Sequence, residues 1–486
     1  MTTAHDREGG YDCSFVTDLL PDDQVSFGDS AAENHAGDWG TAEDEQVRPD
    51  VVVFPESTED VSKIVGAAAE RGVPVTPYAA GTGLSGGATP AQRGISLDTT
   101  RMNRVLEVRP DDLQVDVQPG MVGEELNEAL ASYGLTLPSL PTSGDISTIG
   151  GMLSTDASGM NTVRYGKVGD WVLELEVVLA DGSVVEVGSK AVKSSSGYNL
   201  ADLFVGSEGT LGVITRATMQ LAGIPEQTRA GRAVFDSLSD ATAAVHDAVQ
   251  SGVDVAAIEL LDDTTAKVAN AYSDTDLPDK PLVFFEFHAN HGIEEEVDFF
   301  EAVLESHGVE RFEVAVDEAE MEELWAARHD LAYAVNEYDP DRIPVGPEDI
   351  VVPISAYPEI IRFAKEAASE AGFESFWFGH AGDGNVHGGI LTPKDDPEAI
   401  ERAREVTDRI FERTIELGGT ITGEHGTGQH EKRTHMEREH GPVGLAMMRA
   451  VKQAVDPQGI INPGKVIPGD ATGKKGPFGT GNSTAE

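Results

Sequence analysis

The residues best suited to chemistry lie in two glycine-rich segments of the second half of the chain. The first segment contains His380 and His387, and the second contains Glu424 and His425. Glycine allows side chains to converge where a helix cannot persist. Two imidazoles and one carboxylate form the ligand set of a catalytic divalent metal with an open coordination position. We therefore predict a metal site on His380, His387 and Glu424, with His425 beside it as an unligated base.

The charge balance of the chain is strongly acidic. Asp and Glu number 85 against 35 Lys and Arg, which gives a net charge of −50. Hydrophobic residues make up 40% of the sequence in regular patterns, which favours folded domains over a disordered acidic protein. Acid dispersed along the chain with few lysines is typical of a protein adapted to high salt. Nucleic acid and anionic membrane surfaces are disfavoured, because no basic patch can neutralise phosphates.

Cysteine content and hydropathy restrict the cofactors and the location. Cys13 is the one cysteine, so an intrachain disulfide, an iron–sulfur cluster and a cysteine-rich zinc module are excluded. The first residues show neither a basic region nor an apolar run, so we expect no signal peptide. No apolar stretch approaches the roughly 18 residues of a spanning helix. We expect a cytoplasmic protein, with peripheral association at the inner face of the membrane as an alternative.

At 486 residues the chain is long enough for several domains. An acidic arm is predicted to residue 46. A first α/β region follows, in which Ser57 begins a helix and Gly72 ends it. Asp181-Gly182 lies between two alternating apolar runs and predicts a β-hairpin. From about residue 228, helices alternate with strands, which indicates an α+β domain with an antiparallel sheet covered by helices. A helical segment is predicted after residue 432, and then a disordered tail.

A glycine-rich loop follows the second predicted strand. The run Gly81–Gly86 matches the G-x-G-x-x-G expression, but Gly87 and Pro90 forbid the helix that a Rossmann site requires. No Gly-Lys-Ser/Thr follows, so this is not a nucleoside triphosphate loop. The backbone N–H groups of such a run can line an anion site. Two more runs of small residues, 148–152 and 206–212, suggest a ligand as long as a dinucleotide.

Several motifs occur together in this chain: Pro77–Gly87, Thr148–Gly151, Arg164–Gly166, Gly206–Gly212, Trp325–Arg328, Gly379–His387, Gly423–Gly428 and Asn462–Lys465. In these motifs, over about residues 46–467, the chain resembles the flavin adenine dinucleotide (FAD)-dependent 2-hydroxy-acid dehydrogenases of the vanillyl-alcohol-oxidase type. Within them it is most similar to D-lactate dehydrogenases of the cytochrome type and to the flavin subunit of bacterial glycolate oxidase.

The resemblance implies an α+β protein with a two-part FAD-binding domain of the vanillyl-alcohol-oxidase (PCMH) type and a ferredoxin-like α+β substrate cap domain. The expected boundaries are an N-terminal arm at 1–46, the FAD-binding domain at 47–225 and the cap domain with the metal site at 226–430. A C-terminal helical segment at 431–467 is expected to return to the flavin, and residues 468–486 to form the disordered tail.

The resemblance also implies which residues bind FAD. Some relatives attach flavin through a histidine of the glycine-rich loop, but this chain has Ala79 and Ala80 there, so non-covalent FAD is expected. Gly81–Gly86 would wrap the diphosphate. The expected cofactor-binding residues are Pro77, Ala80, Gly81, Thr82, Gly83, Leu84, Ser85, Gly86, Pro141, Thr142, Ser143, Gly150, Gly151, Ala157, Gly159, Glu208, Ile214 and Asn462.

The implied reaction is oxidation of a small D-2-hydroxy acid, D-lactate being favoured, to the 2-oxo acid. Hydride would pass to flavin N5, and the electrons to an external quinone, cytochrome or electron-transfer protein. Arg328 would anchor the substrate carboxylate and His425 would take the hydroxyl proton. The divalent metal, zinc or else manganese or iron, would bind the hydroxyl oxygen. The oligomeric state stays open.

Other functions remain open at this point. Relatives that oxidise D-2-hydroxyglutarate carry an extra cationic residue after the arginine motif. Residues 345–349 contain no lysine, which makes a dicarboxylate doubtful. A glycolate oxidase flavin subunit, dependent on iron–sulfur partners, is one alternative. A non-catalytic zinc-stabilised binding protein is another, although structural zinc sites usually have four ligands.

The net charge predicts a protein that needs salt for stability. Self-repulsion among the acidic side chains destabilises the compact state, and the Debye length falls from about 10 Å at about 0.1 M salt to about 3 Å at about 1 M. The melting temperature should therefore rise clearly between about 0.1 M and about 3 M KCl. A scan calorimetry series in KCl measures this, and an unchanged melting temperature would remove the halophilic interpretation.

Overall fold

The computed structural model describes residues 10–273, 275–315 and 317–469. The tail predicted to be disordered lies outside the described residues except for its first two positions. Bounds of the strands are β1 Val25–Ser26, β2 Val51–Val53, β3 Val75–Tyr78, β4 Ile95–Asp98, β5 Val105–Arg109, β6 Gln114–Val117, β7 Leu135–Thr136, β8 Val172–Val178, β9 Val184–Gly188, β10 Val213–Gln220, β11 Ala222–Gly223, β12 Gln227–Val234, β13 Ala257–Leu261, β14 Leu282–Ala289, β15 Arg311–Val314, β16 Arg342–Val345, β17 Ile350–Val351, β18 Glu374–His380 and β19 Asn385–Pro393.

The bounds of the helices are α1 Asp29–Asn34, α2 Thr58–Arg71, α3 Gly123–Ala131, α4 Ile149–Thr155, α5 Thr162–Tyr165, α6 Ala201–Phe204, α7 Leu238–Ser251, α8 Asp263–Ser273, α9 Ile293–Glu305, α10 Glu318–His329, α11 Leu331–Glu337, α12 Tyr357–Glu370, α13 Pro397–Glu416 and α14 Met436–Val455. Helix α13 has 20 residues, and α14 is interrupted by a kink at Gly441 (φ 69°, ψ 166°), which is followed by Pro442. Among the described residues, no helix is both long enough and apolar enough to cross a bilayer.

The chain divides into two units by internal contacts. The described residues of Met1–Ala157, Lys167–Gly223 and Glu424–Glu486 form the first unit, and Ser158–Gly166 with Ile224–Gly423 form the second. Besides a shift of two residues at the end of the expected FAD-binding domain, the partition differs from the expected boundaries in two segments. The short segment that contains α5 belongs to the second unit, and residues 424–430 belong to the first rather than to the cap domain. The latter difference has a local cause, a buried carboxylate described below.

The first unit contains a four-stranded sheet of order β1-β2-β4-β3, in which β2 and β3 run parallel to β4. Helix α2 forms as its sequence predicts. The Ser57 side chain accepts a hydrogen bond from the Asp60 N–H at 3.2 Å, and Gly72 ends the helix at φ 62°. Val61, Ile64, Val65 and Ala68 lie one turn apart on one face and are fully buried.

A second, antiparallel sheet of the first unit has the order β5-β6-β10-β8-β9. The predicted hairpin joins β8 and β9, where Gly182 adopts φ 83° and the Asp181 carboxylate accepts from the Ser183 N–H. The small-residue run at 148–152 forms the start of helix α4, with Thr148 as its N-cap. Glycine is needed at position 150 because a Cβ there would lie 2.6 Å from Pro119 Cβ.

The C-terminal segment is attached to the first unit by one buried cation. The ammonium of Lys452, on helix α14, donates to the carbonyl oxygens of Thr210 and Ile461 and to the carboxylate of Asp456, at 2.6–2.7 Å. Ile461 also forms an isolated parallel bridge with Val75 of β3. Because a buried ammonium requires partners, these bonds fix where the segment lies.

The second unit is built on an antiparallel sheet of order β15-β12-β14-β13-β18-β19-β16, with β17 also paired to β19. This confirms the predicted α+β alternation with an antiparallel sheet. Phe285 of β14, Phe300 of α9 and Phe312 of β15 pack together, and the rings of Phe285 and Phe312 stack with centroids 4.9 Å apart. Helix α7 packs against α9 and α12.

Candidate active site

Three adjacent strands bring the two predicted metal-binding histidines together. Strand pairing places Glu259 of β13 opposite His380 of β18, and Phe378 of β18 opposite His387 of β19. Since alternate residues of a strand share a face, Glu259, His380 and His387 all project from the same face. The two imidazole centroids lie 5.3 Å apart, with the rings nearly perpendicular.

The histidines are therefore in a β-hairpin, which agrees with the prediction that no helix persists in this glycine-rich segment. A short turn at Ala381–Asp383 joins the two strands. The glycines serve close backbone approaches. A Cβ on Gly388 would lie 2.2 Å from Trp377 Cε3, and a Cβ on Gly384, at φ 87°, would lie 2.1 Å from the Val352 carbonyl oxygen. Glycine at these two positions permits the close approach of Trp377 and of the Val352 backbone.

Glu259 is the centre of this part of the site, and the sequence analysis did not identify it. Its side chain is fully buried, and its Oε2 accepts from Nε and Nη2 of Arg328 at 2.7 Å. Its Oε1 lies 2.6 Å from His380 Nδ1. The available signal was a single carboxylate in the middle of an apolar strand, since a buried charge requires fixed partners.

The protonation state of Glu259 follows from its partners. Burial raises the pKa of the Glu259 carboxyl, but the charges and hydrogen bonds of Arg328 and His380 outweigh burial and hold that pKa below its ordinary value. The ionised carboxylate can only accept, so Nδ1 of His380 carries a proton whether the ring is charged or neutral. Nε2 is then the nitrogen that can bind a metal, as in carboxylate–histidine–metal arrangements.

His387 is oriented by the same logic. Its Nδ1 lies 2.8 Å from the carbonyl oxygen of Glu348, which can only accept, so Nδ1 is the protonated nitrogen and Nε2 is the one that can serve as a metal ligand. Both predicted histidine ligands thus have one nitrogen committed to a protein acceptor. Their types and tautomers fit a divalent metal.

Asp349 is a second acidic residue whose role the sequence analysis missed, because its neighbourhood was considered only for the absence of lysine. It is buried, and its carboxylate accepts from Asn385 Nδ2, from Thr422 Oγ1 and from the Gly423 N–H, each at 2.8 Å. Asp349 and His387 offer possible ligand atoms within 4.8 Å of each other. Asp349 therefore fixes Gly423, whose next residue in the chain is Glu424.

Glu424 and His425 begin the last segment of the first unit. His425 Nε2 lies 3.7 Å from Glu424 Oε1, so the predicted ligand and the predicted base have neighbouring polar atoms. The residues that follow are held by Glu208. Its buried carboxylate accepts from the N–H groups of Thr427 and Gly428 at 2.8 Å. Burial raises the pKa of Glu208, although these bonds oppose that rise.

The first unit gathers most of the predicted cofactor-binding runs. The amide of Asn462 donates to the carbonyl oxygens of Gly87 and Glu208, which links the first run to the third. The hydroxyl of Ser147 bonds those of Thr82 and Ser143, which links the glycine-rich loop to residues 141–147. Predicted residue Gly159 lies in the second unit.

These surroundings fit FAD. Asn462 Oδ1 is buried and accepts no hydrogen bond from the residues that the structure describes, so it can receive a donor from a ligand beside these runs. A Cβ on Gly151 would lie 3.7 Å from Ala79 Cβ, and one on Gly209 would lie 3.1 Å from Pro77 Cγ. Small residues thus keep three backbone segments close, as a cofactor that contacts the backbone requires.

Two family models match the chain. The model described as "FAD binding domain" matches residues 49–188, and the model described as "FAD linked oxidases, C-terminal domain" matches residues 224–466. The chain belongs to this FAD-linked oxidase family and is an FAD-linked oxidoreductase. The family membership supports the enzyme over the non-catalytic zinc protein.

Similar proteins include enzymes that act on 2-hydroxy acids by name. A "Probable D-lactate dehydrogenase, mitochondrial" of Danio rerio is 37% identical over 92% of this chain and 89% of its own length. "Glycolate oxidase subunit GlcD" of Bacillus subtilis is 35% identical over 92% of this chain and 95% of its own length. A solved structure of p-cresol methylhydroxylase with substrate bound matches with a TM-score of 0.74 at 17% identity, over 93% of this chain and 95% of that one. The last comparison confirms the expected fold.

The buried Glu259 predicts a large stability cost when its cation is removed. Arg328→Met should destabilise the protein by about 3–5 kcal/mol, because a buried carboxylate then loses a charged partner. The exposed, helix-surface variant Arg362→Met is the matched control and should cost about 0.3–0.5 kcal/mol. Urea unfolding followed by tryptophan fluorescence measures both.

The pH dependence of this cost has a defined sign. The lowered pKa of Glu259 contributes stability that is fully present above its ordinary value of 4.5 and is lost as the pH falls through the lower folded-state value. The difference in free energy of unfolding between the wild type and Arg328→Met should therefore become smaller as the pH falls below about 4.5. Equal costs for the two arginine variants would contradict the proposed pairing.

Proposed function

We propose that the chain oxidises a small D-2-hydroxy acid, with D-lactate favoured, to the 2-oxo acid. The observation that carries this proposal is the pair His380 and His387 on one face of the sheet, each with Nδ1 directed to a protein acceptor, which makes Nε2 the ring nitrogen able to bind a metal. It occurs in a chain whose similar proteins are named D-lactate dehydrogenase and glycolate oxidase subunit. The reaction removes the proton of the hydroxyl group and a hydride from the carbon that bears that hydroxyl group.

His380, His387 and Glu424 would hold a divalent metal, zinc or else manganese or iron. Support comes from the tautomers of the two rings, which the Glu259 carboxylate and the Glu348 carbonyl fix. Support for Glu424 as a ligand comes from the position of the residue before it. It follows Gly423, whose N–H is bound by Asp349, and consecutive Cα atoms are about 3.8 Å apart.

His425 would take the hydroxyl proton. An imidazole titrates near neutral pH, and His425 is adjacent in sequence to the proposed ligand Glu424. When bound, FAD supplies the hydride acceptor and the metal supplies Lewis-acid stabilisation of the hydroxyl oxygen.

Arg328 would anchor the substrate carboxylate, with a restriction that its contacts impose. Glu259 occupies its Nε and one Nη2 donor, so a substrate carboxylate can use only the outer end of the guanidinium. The single carboxylate of Glu259 would then position two residues, Arg328 for the substrate and His380 for the metal.

The substrate is proposed to be a monocarboxylate. Residues 345–349 offer no lysine for a second carboxylate, and Asp349 in that stretch is committed to Asn385, Thr422 and Gly423. Glycolate is the alternative substrate, in which case iron–sulfur partner subunits would receive the electrons. For D-lactate the acceptor would be a quinone, a cytochrome or an electron-transfer protein.

FAD is proposed to be non-covalent. Ala79 and Ala80 provide no nucleophile, and Cys13 is buried in the core of the first unit, where burial and the charge of Asp50 raise the pKa of its thiol to about 12. Acid precipitation should therefore release all the FAD into the supernatant, measured by absorbance. Flavin fluorescence that stays with the protein band on a denaturing gel would contradict this.

Metal binding and proton removal should be separable by mutation. His380→Ala should lose the metal together with turnover, because it removes a ligand. His425→Ala should keep metal and FAD but slow flavin reduction by D-lactate about 10²–10⁴-fold, the usual contribution of a positioned base. Arg328→Lys should raise the D-lactate concentration that gives half-maximal flavin reduction, because lysine lacks the planar donor geometry of arginine. Both cofactors should stay bound in this variant. Elemental analysis and anaerobic stopped-flow reduction measure these effects.

His246→Ala is the matched control, since His246 lies on helix α7, pairs with Asp247 and is outside the site. It should keep metal, FAD and rate. Loss of metal in His425→Ala with retention in His380→Ala would show that the two roles are reversed. Flavin reduction by L-lactate but by no D-2-hydroxy acid would contradict the proposed substrate class.

A further inference from the structure

A short segment before the family-matched region packs on the glycine-rich loop of the first unit. We call residues 35–41 the N-terminal clasp. The FAD-binding family model begins at residue 49, so the clasp lies outside it. The clasp and the loop belong to the same unit. Their contacts involve backbone groups of the loop that the sequence analysis assigned to the FAD diphosphate.

Two backbone bonds set the direction of the first half of the loop. The N–H of Trp39 donates to the carbonyl oxygen of Gly81 at 2.9 Å, and the N–H of Gly40 donates to that of Gly83 at 3.0 Å. In a planar trans peptide the C=O and the N–H point in opposite directions. The N–H groups of Thr82 and Leu84 therefore point away from the clasp.

The second half of the loop has the reverse orientation. The carboxylate of Asp38 accepts from the Gly86 N–H at 3.1 Å and from the Ala88 N–H at 3.4 Å. The Thr41 hydroxyl donates to the same carboxylate at 2.7 Å. Asp38 is buried, so these donors satisfy a charge that would otherwise be costly. The clasp thus binds the N–H groups of Gly86 and Ala88, while those of Thr82 and Leu84 point toward the side where a ligand can bind.

The clasp is anchored through polar contacts that have defined directions. The ring of His35 lies 2.9 Å from the Asp98 carboxylate at the end of β4 and 4.3 Å, centroid to centroid, from the ring of Tyr78. The hydroxyl of Thr41 lies 3.0 Å from that of Thr89. These contacts hold the clasp at both ends, so its central residues have little freedom to move relative to the loop.

Gly40 allows the closest approach between the two segments. A Cβ at this position would lie 2.1 Å from the carbonyl oxygen of Leu84 and 2.4 Å from its carbonyl carbon. Those atoms are backbone and cannot rotate away, so even alanine must displace the loop. By contrast, a Cβ on Gly28, earlier in the same arm, would meet nothing nearer than Ser26 Oγ at 3.5 Å.

We infer that the N-terminal clasp is a positioning device for the FAD diphosphate. By holding the carbonyl groups of Gly81 and Gly83, it directs the N–H groups of Thr82 and Leu84 to the cofactor side of the loop. Preorganised donors bind an anion without the cost of ordering the loop. The inference rests on FAD binding by Gly81–Gly86 and is independent of the substrate proposed above.

The test is the affinity of the apoprotein for FAD in Gly40→Ala, with Gly28→Ala as the matched control. Titration of FAD followed by flavin fluorescence gives the dissociation constant. Gly40→Ala should weaken FAD binding about tenfold or more, because it displaces the preorganised donors. Gly28→Ala should bind as the wild type does. Hydrogen exchange of the peptide covering the loop should be faster in Gly40→Ala alone.

Asp38→Asn supplies a second variant if Gly40→Ala fails to fold. It keeps the size of the side chain but turns an amide donor toward the loop N–H groups, so it should also weaken FAD and raise loop exchange. Unchanged FAD affinity in a folded variant of either kind would overturn the inference, and so would equal weakening in Gly28→Ala. A wild-type protein that binds no FAD would instead refute the proposed function.

Discussion

The site of the second unit depends on one buried carboxylate, Glu259, which cannot remain inside the protein without complete pairing. Arg328 satisfies one of its oxygens and His380 the other. A fully buried charge lacking either partner would cost several kcal/mol, so the sheet register and helix α10 are constrained together. The pairing also has a chemical consequence, because it directs Nδ1 of the histidine to the carboxylate, so the proposed metal would bind through Nε2.

The same constraint orders segments that carry no regular structure. Asp349 collects donors from a strand and from the residues before Glu424. In the first unit, Glu208 holds the residues after His425, and Asp38 holds the glycine-rich loop. Asp349, Glu208 and Asp38 each accept at least one backbone N–H group. A chain with a net charge of −50 exposes most of its acid and uses these few acidic residues as internal acceptors.

The proposed function depends on polar atoms other than those engaged in these carboxylate pairings. In the second unit the proposed ligand atoms are Nε2 of His380 and of His387, and in the first unit Asn462 Oδ1 lies beside the small-residue runs without a donor among the described residues. Membership in the FAD-linked oxidase family is consistent with ligand-binding roles for the histidine nitrogens and for Asn462 Oδ1. The proposed chemistry divides accordingly: carboxylates inside the protein set the geometry, while imidazoles, the guanidinium end of Arg328 and loop N–H groups face the ligands.

Features whose cause is local could be predicted from the amino-acid sequence. Helix α2, the hairpin at Asp181-Gly182, the antiparallel α+β alternation and the chemical character of His380 and His387 were predictable, because periodicity, turn residues and side-chain type act over a few positions. The family, too, could be recognised from short motifs. Tertiary structure alone decided that Glu259 and Asp349 belong to the site, that residues 148–152 begin a helix and that the clasp meets the loop. Those outcomes depend on strand register and on contacts between residues far apart in the chain, which local patterns do not encode.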